Sequence, residues 1–292
     1  QWVAEDTLGE IRKHATANGL RIHTHIQQTQ LQKLYGYRTY GKSLVAHLAD
    51  TGFLGEDVTL GHAVWVSEDD IEAIADAGAS VTHHGTCNLR VRNGIAPVFD
   101  MLRRGVHVAV GMDDKEFGDD KDFIEEMRMI SKLHRVPSHE LDSPHILPED
   151  VLRMGTEYGA EVLGFGGELG SLHPGKRADM VLVDLSRASE PFIHPRHNPV
   201  DVFLYRCGTR DVDKVLLDGE VVVDGGRVSH IDREKAAADL RESVPEGYAE
   251  EFERGNRNFH RLRPYIARWF SQWYGEMEDF GLRPFYHLNN MQ

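Results

Sequence analysis

The chain has 292 residues, 40% of them hydrophobic and 27% charged, which allows one sizeable core plus an appendage and argues against disorder. Acidic residues outnumber basic ones 47 to 33, so the formal charge is -14 and a phosphate backbone or anionic membrane is repelled; neither nucleic acid nor membrane is an expected partner. Cys87 and Cys207 form no CxxC pair, and neither a basic leader nor an apolar run of about eighteen residues occurs, so a soluble, cytoplasmic protein is expected.

From Glu5 to Asn18 the apolar positions Leu8, Ile11 and Ala15 recur at helical spacing, and Asn18-Gly19 supplies a stop before a strand pattern from Leu20 to Ile26. The unit repeats: helix Ser43 to Gly52 and strand Val58 to His62, helix Ser67 to Gly78 and strand Ser80 to His83, helix Ala96 to Gly105 and strand Val106 to Val110. Ser67 followed by Glu68, Asp69 and Asp70 predicts a helix start, since the hydroxyl caps free N–H groups and the carboxylates meet the positive helix end. Short apolar strands alternating with helices imply an α/β fold, a parallel sheet covered by helices, either doubly wound or closed as a barrel. Periodicity does not choose between them.

After Asp113 the pattern changes. Asp119 to Leu133 is polar and reads as helix, and Pro148-Glu149-Asp150 opens another helix to about Gly164. Within Gly170 to Leu185, and at Val215 to Leu217 and Val221 to Val223, the text reads as small antiparallel strands, with Asp218-Gly219 and Asp224-Gly225-Gly226 as turns. From Asp232 onward, Phe259, Tyr265, Trp269, Phe270, Trp273 and Tyr274 recur at roughly helical intervals in a charged tail, expected to pack on the rest of the protein or on a neighbouring subunit.

The first, second and fourth strand patterns lead into His25, His62 and Asp113. Reactive groups of parallel βα architectures collect at the carboxyl ends of strands, so these side chains are expected to converge. Seventeen histidines are scattered through the chain, and a single one is more readily structural than a ligand. Three candidates at equivalent strand ends are harder to assign to chance. Two imidazoles and a carboxylate suit one divalent cation, zinc first, with iron, cobalt or manganese as alternatives. The acidic run Asp113 to Asp120 lacks EF-hand spacing and reads as a solvated loop. Neither GxGxxG nor a Walker loop occurs, which removes the usual support for dinucleotide or phosphate binding.

The runs Gly61-His62-Ala63, Asn88-Leu89-Arg90 with Gly94-Ile95-Ala96-Pro97-Val98, and Gly111-Met112-Asp113 resemble the amidohydrolase superfamily, in its cytosine deaminase, adenosylhomocysteine deaminase and triazine chlorohydrolase branch. The segment from Gly170 through Pro174-Gly175-Lys176-Arg177-Ala178-Asp179 to Asp184 is similar to the family's return into its small β-domain. The resemblance covers roughly residues 5 to 230. It implies a distorted (β/α)8 TIM-type barrel whose strands five to eight lie in this chain, a small β-sandwich, and a helical C-terminal tail. His25, His62 and Asp113 are then the metal ligands from strands five, six and eight. Asp113 takes a proton from the attacking water, whose acidity a bound cation raises, and delivers it to the leaving group. His83 is expected to polarise the substrate or orient the nucleophile, and Gln28 and Asn88 to contact the substrate. His23 and His84 are expected on the other strand face as structural residues.

The chain departs from the family in ways that matter. No His-x-His strand precedes His25, and a complete barrel needs about 250 residues. Strands one to four and the two further histidines are therefore expected from a preceding segment or a separate chain, since half a parallel barrel leaves two sheet edges open. The start at Gln1, with no initiator Met, fits a processed or partial piece. Gln28 stands where deaminases of the family usually carry a proton-donating Glu, and an amide cannot donate that proton as an acid. Ordinary adenosine or cytosine deamination is in doubt on that ground, and pterin-type deamination or hydrolysis of an amide, urea or carbamate-like bond fits better.

The resulting division is a half barrel over 1-168, a small β-sandwich over 169-232 and a helical extension over 233-292. The expected function is hydrolysis of a carbon–nitrogen or related bond in a small molecule, in an oligomeric enzyme. The competing expectation is a non-catalytic assembly or scaffold subunit that kept the half barrel.

Overall fold

The computed structural model describes residues 3–114, 121–135 and 145–279, apart from the side chain of Glu278. Most of the acidic run, residues 115–120, lies outside the described residues, as does the start of the helix expected from Asp119. The chain divides into two compact units, Gln1–Gly226 and Arg227–Gln292.

The first unit is α/β. Strands β1 (Ile22–Ile26), β2 (Val58–His62), β3 (Ser80–His83) and β4 (Val108–Val110) form a parallel sheet in sequence order. Helices α1 (Glu5–Asn18), α2 (Gln30–Tyr40), α3 (Leu44–Asp50), α4 (Glu68–Asp76), α5 (Gly85–Arg90) and α6 (Val98–Arg103) precede or connect the strands. Among the described residues β1 and β4 are the edges of an open sheet, so the barrel expected from the resemblance is not closed.

Strand alternation sorts the two faces of the sheet. Val58, Leu60, Val81 and Val108, none of them exposed, pack into one core with Ile71 and Ile74 of α4 and Met101 of α6. Each such side chain contributes about 1.5–3 kcal/mol by leaving water. One register row crosses the sheet as His25, Gly61, Thr82 and Ala109, polar or small throughout. The core on one face and this row on the other direct the polar groups to the side away from the helices.

The capping residues act as their types demand. Ser67 Oγ accepts from Asp70 N at 3.3 Å, and Asp70 Oδ2 accepts from Ser67 N at 2.9 Å, a reciprocal box that starts α4. Helix α2 was not expected, because it carries little apolar periodicity; a Thr29/Gln32 box starts it and the buried Leu34 anchors it. The helix expected from Pro148 to about Gly164 is divided at Thr156 (φ -129°, ψ -83°) into α8 (Pro148–Gly155) and α9 (Glu157–Val162). Helix α7 (Phe123–Leu133), capped by Asp122, lies between β4 and α8 in the chain.

Strands β5 (Met180–Val183), β6 (Val212–Leu217) and β7 (Glu220–Asp224) pair antiparallel, with α10 (Pro199–Arg206) inserted after β5. The β6–β7 turn places Asp218 (φ 52°) and Gly219 (φ 84°) in left-handed backbone, as a tight hairpin requires. The described strands here make one sheet, and a second layer facing it, as in a sandwich, is not among them.

The second unit holds a two-residue strand β8 (Arg227–Val228), helix α11 (Arg233–Glu242) and the long α12 (Tyr248–Asp279). Tyr248, Phe252, Phe259, Leu262, Tyr265, Trp269 and Tyr274 of α12 are exposed. No described helix is long and apolar enough to cross a membrane.

Candidate metal centre

Three of the four strands of the parallel sheet run into left-handed backbone at or just beyond their ends. Gln27 (φ 42°) follows β1, His62 (φ 70°) and Ala63 (φ 46°) close β2, and Asp113 (φ 61°) follows β4. Left-handed backbone costs a residue with a Cβ of order 1–3 kcal/mol, and it persists only where surrounding contacts hold it. Gln27 shows such contacts. Its Nε2 donates to Trp65 O at 3.0 Å and to Asp70 Oδ2 at 3.1 Å, and its Oε1 accepts from Leu44 N at 3.1 Å. This ties the end of β1 to α3 and α4, and Gln28 follows it, half-buried.

His62 is fully buried and is held from behind by Asn88 of α5, whose Oδ1 lies 2.9 Å from His62 Nδ1. With that acceptor in place the imidazole carries its proton on Nδ1 and its lone pair on Nε2. Nε2 stands 3.2 Å from Asp113 Oδ2, yet it has no hydrogen-bond partner. Two lone-pair atoms therefore face each other at contact distance, an arrangement that repels unless a cation or a proton lies between them. Cys87 Sγ donates to the same Oδ2 at 3.1 Å, and Asp113 Oδ1 accepts from Asp114 N at 2.6 Å.

Among the described residues His62, Cys87 and Asp113 form the one group whose ligand atoms all lie within 4.8 Å of one another. The His25 ring stands beside it, 5.1 Å from that of His62. His25 and His23 are exposed although Ile22 and Ile26 of the same strand are buried. Gly61 leaves them room, since a Cβ there would come within 3.2 Å of His25 Cδ2 and 3.5 Å of His23 Nε2.

The surroundings favour a neutral His62 and an ionised Asp113. Burial pushes His62 below its ordinary pKa, against the opposing pull of Asn88 and Asp113. Burial alone would raise Asp113, but hydrogen bonds from Cys87 and Asp114 and the nearby His62 and His84 outweigh it and hold it low. Burial, with the Asp113 bond and charge, pushes the Cys87 thiol up to about 12, so without a cation it is a protonated donor.

The expected facing of His83, His84 and His23 needs correction. His83 does not face the cluster: Thr82 points toward His23, so strand alternation turns His83 to the helix side. There its Nε2 lies 3.0 Å from Nε2 of His134 at the end of α7. His84 and His23 are not on the opposite face from His25. His84 Nε2 lies 3.0 Å from Thr82 Oγ1, which lies 3.4 Å from His23 Nε2, and the His84 ring is 4.5 Å from that of His62. Asn88, expected against the substrate, orients His62 through Oδ1, while its Nδ2 has no partner. Cys87, Gln27 and His84 were missed. The i, i+2 relation of His84 to Thr82 was a usable signal, but nothing local marks Cys87.

The parallel α/β sheet gathers nitrogen, sulfur and oxygen groups that could hold a metal ion at its strand ends, the active-site position of βα folds. The chain is 36% identical over 246 residues to a 5'-deoxyadenosine deaminase of Methanosarcina barkeri, covering 83% of this chain and 55% of the relative. It is 38% identical over 217 residues to a 5-methylthioadenosine/S-adenosylhomocysteine deaminase of Desulforudis audaxviator, covering 74% and 49%. Among solved structures, a zinc-bound adenosine deaminase from Xanthomonas campestris matches with TM-score 0.76 and 27% identity over 82% of this chain and 54% of that one. An atrazine chlorohydrolase variant from Arthrobacter aurescens, complexed with zinc and atraton, matches with TM-score 0.76 and 25% identity over 83% and 52%. The chain belongs to the amidohydrolase family, whose pattern matches residues 2–222. It spans about half the length of the curated relatives it matches.

Proposed function

We propose that this chain is the C-terminal half of a metal-dependent hydrolase that cleaves a carbon–nitrogen bond of a small heterocycle, with displacement of an exocyclic amine as the first choice of reaction. The observation that carries this reading is the pair His62 Nε2 and Asp113 Oδ2, 3.2 Å apart without a hydrogen bond between them. His25, His62 and Asp113 would hold a cation that would remove that repulsion and supply Lewis acidity to the attacking water. Zinc is the preferred ion for this donor set, with iron, cobalt and manganese behind it.

The chain's own groups then have definite work. Asn88 fixes the His62 tautomer that leaves Nε2 unprotonated. The Asp113 carboxylate accepts the proton that water gives up as it adds to the ring carbon, and returns it to the departing amine. Gln28, just beyond the β1 end, offers an amide to the substrate's ring nitrogen or carbonyl.

The same reading assigns residues 1-168 to strands five to eight of a TIM-type barrel, 169-232 to a small β-sandwich and 233-292 to a helical extension. A preceding segment or separate chain supplies strands one to four and a His-x-His pair. The open edges β1 and β4 and the exposed His23 and His25 support it. A cytoplasmic homo-oligomer completes the proposal.

The test is metal content measured together with hydrolysis of amino-heterocycles, nucleosides and pterins included. About one equivalent of zinc, lost along with hydrolysis in His62→Ala, is the expected result. A metal-free protein whose His62→Ala variant behaves like the parent would leave the scaffold reading in its place.

A further inference from the structure

We propose that Cys87 is itself a ligand of the cation, so that the chain presents a nitrogen, sulfur and oxygen donor set selective for soft ions. This rests on the metal-dependent reading above and adds a donor that the sequence pattern did not include.

The geometry is already close to that of a bound site. Cys87 Sγ and His62 Nε2 lie 3.1 and 3.2 Å from Asp113 Oδ2, and all three donor atoms lie within 4.8 Å of one another. An ion with bonds of about 2.0–2.3 Å sets adjacent donors roughly 3–4 Å apart. The two gaps to Asp113 Oδ2 need to open only slightly, and the third is bounded at 4.8 Å. His25 is not a member of this group, so Cys87 is the third donor that the structure brings to the pair.

An independent observation points the same way. His62 Nε2 is buried, lacks a hydrogen-bond partner and faces the oxygen that Cys87 also contacts. The chain's other cysteine shows what a structural thiol looks like here. Cys207 packs in a small apolar cluster with Ala188 and Val202, whereas Cys87 is buried outside either apolar cluster and donates to a carboxylate. On binding, the Sγ–H proton leaves to bulk water, and the Sγ–H···Oδ2 hydrogen bond gives way to coordination by both atoms; no electron is transferred.

Cobalt(II) titrated into the full chain reads the donors directly. The expected result is a sulfur-to-cobalt charge-transfer band in the near ultraviolet, which Cys87→Ser loses while keeping the weaker visible cobalt bands. Serine retains a hydroxyl donor for Asp113, so that loss reports the sulfur and not a collapsed site. Cadmium competition supplies a second reading, with the preference for cadmium over manganese falling at least about tenfold in Cys87→Ser. Visible bands without a charge-transfer band in the parent, or an unchanged cadmium preference, would overturn the assignment of Cys87 and leave the metal centre standing. A parent chain that binds no cobalt would overturn the metal centre itself.

Discussion

Acid should unfold this protein partly through a histidine that makes no contact with the proposed cation. His134 is 8% exposed, pairs with His83 across 3.0 Å, and is pushed by burial from 6.5 down to about 4. The folded state therefore keeps it neutral, while the unfolded chain takes up a proton as pH falls through about 6.5. The unfolded state binds more protons between about pH 6.5 and 4, so stability falls with pH in that window and its loss levels off below. At about 1.4 kcal/mol per unit, the loss by pH 5 is about 2 kcal/mol, and the full loss below pH 4 is about 3 kcal/mol. Urea unfolding at about pH 7 and pH 5, on the parent and on His134→Gln, isolates the contribution, because glutamine keeps a polar partner for His83 but does not titrate. The parent should lose about 2 kcal/mol more than the variant over this interval. An equal loss in both would refute the neutral buried pair.

The other predictions concern the cluster. Asn88→Ala removes the acceptor on His62 Nδ1 and frees the tautomer; zinc affinity should fall about 10–100-fold by chelator competition, and an unchanged affinity would exclude the orienting role. Gly111→Ala places a Cβ 2.4 Å from His84 Cε1 and should cost about 1–3 kcal/mol in chemical denaturation, a loss largely relieved in the double variant with His84→Ala. An additive double variant would show that the clash lies elsewhere. Gln28→Glu restores an acid beside the β1 end and should accelerate amine displacement from a heterocycle at least about tenfold, as steady-state kinetics would measure; no gain would mean that Gln28 makes no contact with the reacting ring.

The α/β alternation, the four strand positions of the parallel sheet and the placing of His25, His62 and Asp113 at or beyond strand ends were legible in the residues alone. Those features are local or follow from a topological rule: period two places side chains on faces, and parallel βα units gather their strand ends at one side. The caps of α1 and α4 were legible for the same reason, since Gly19 and Ser67 act on backbone groups within a few residues of themselves. What tertiary structure decided was which neighbour each buried polar atom met. Asn88 finds His62 from 26 positions away, Cys87 finds Asp113 across a similar gap, and His134 meets His83 from 51 away. His83 and His84 are adjacent and alike on paper, yet one lies under α7 and the other against His62. A pattern of residue types does not encode such partners, because hydrogen bonding and burial are settled only when the sheet and helices have packed and each polar group must be satisfied where it lies.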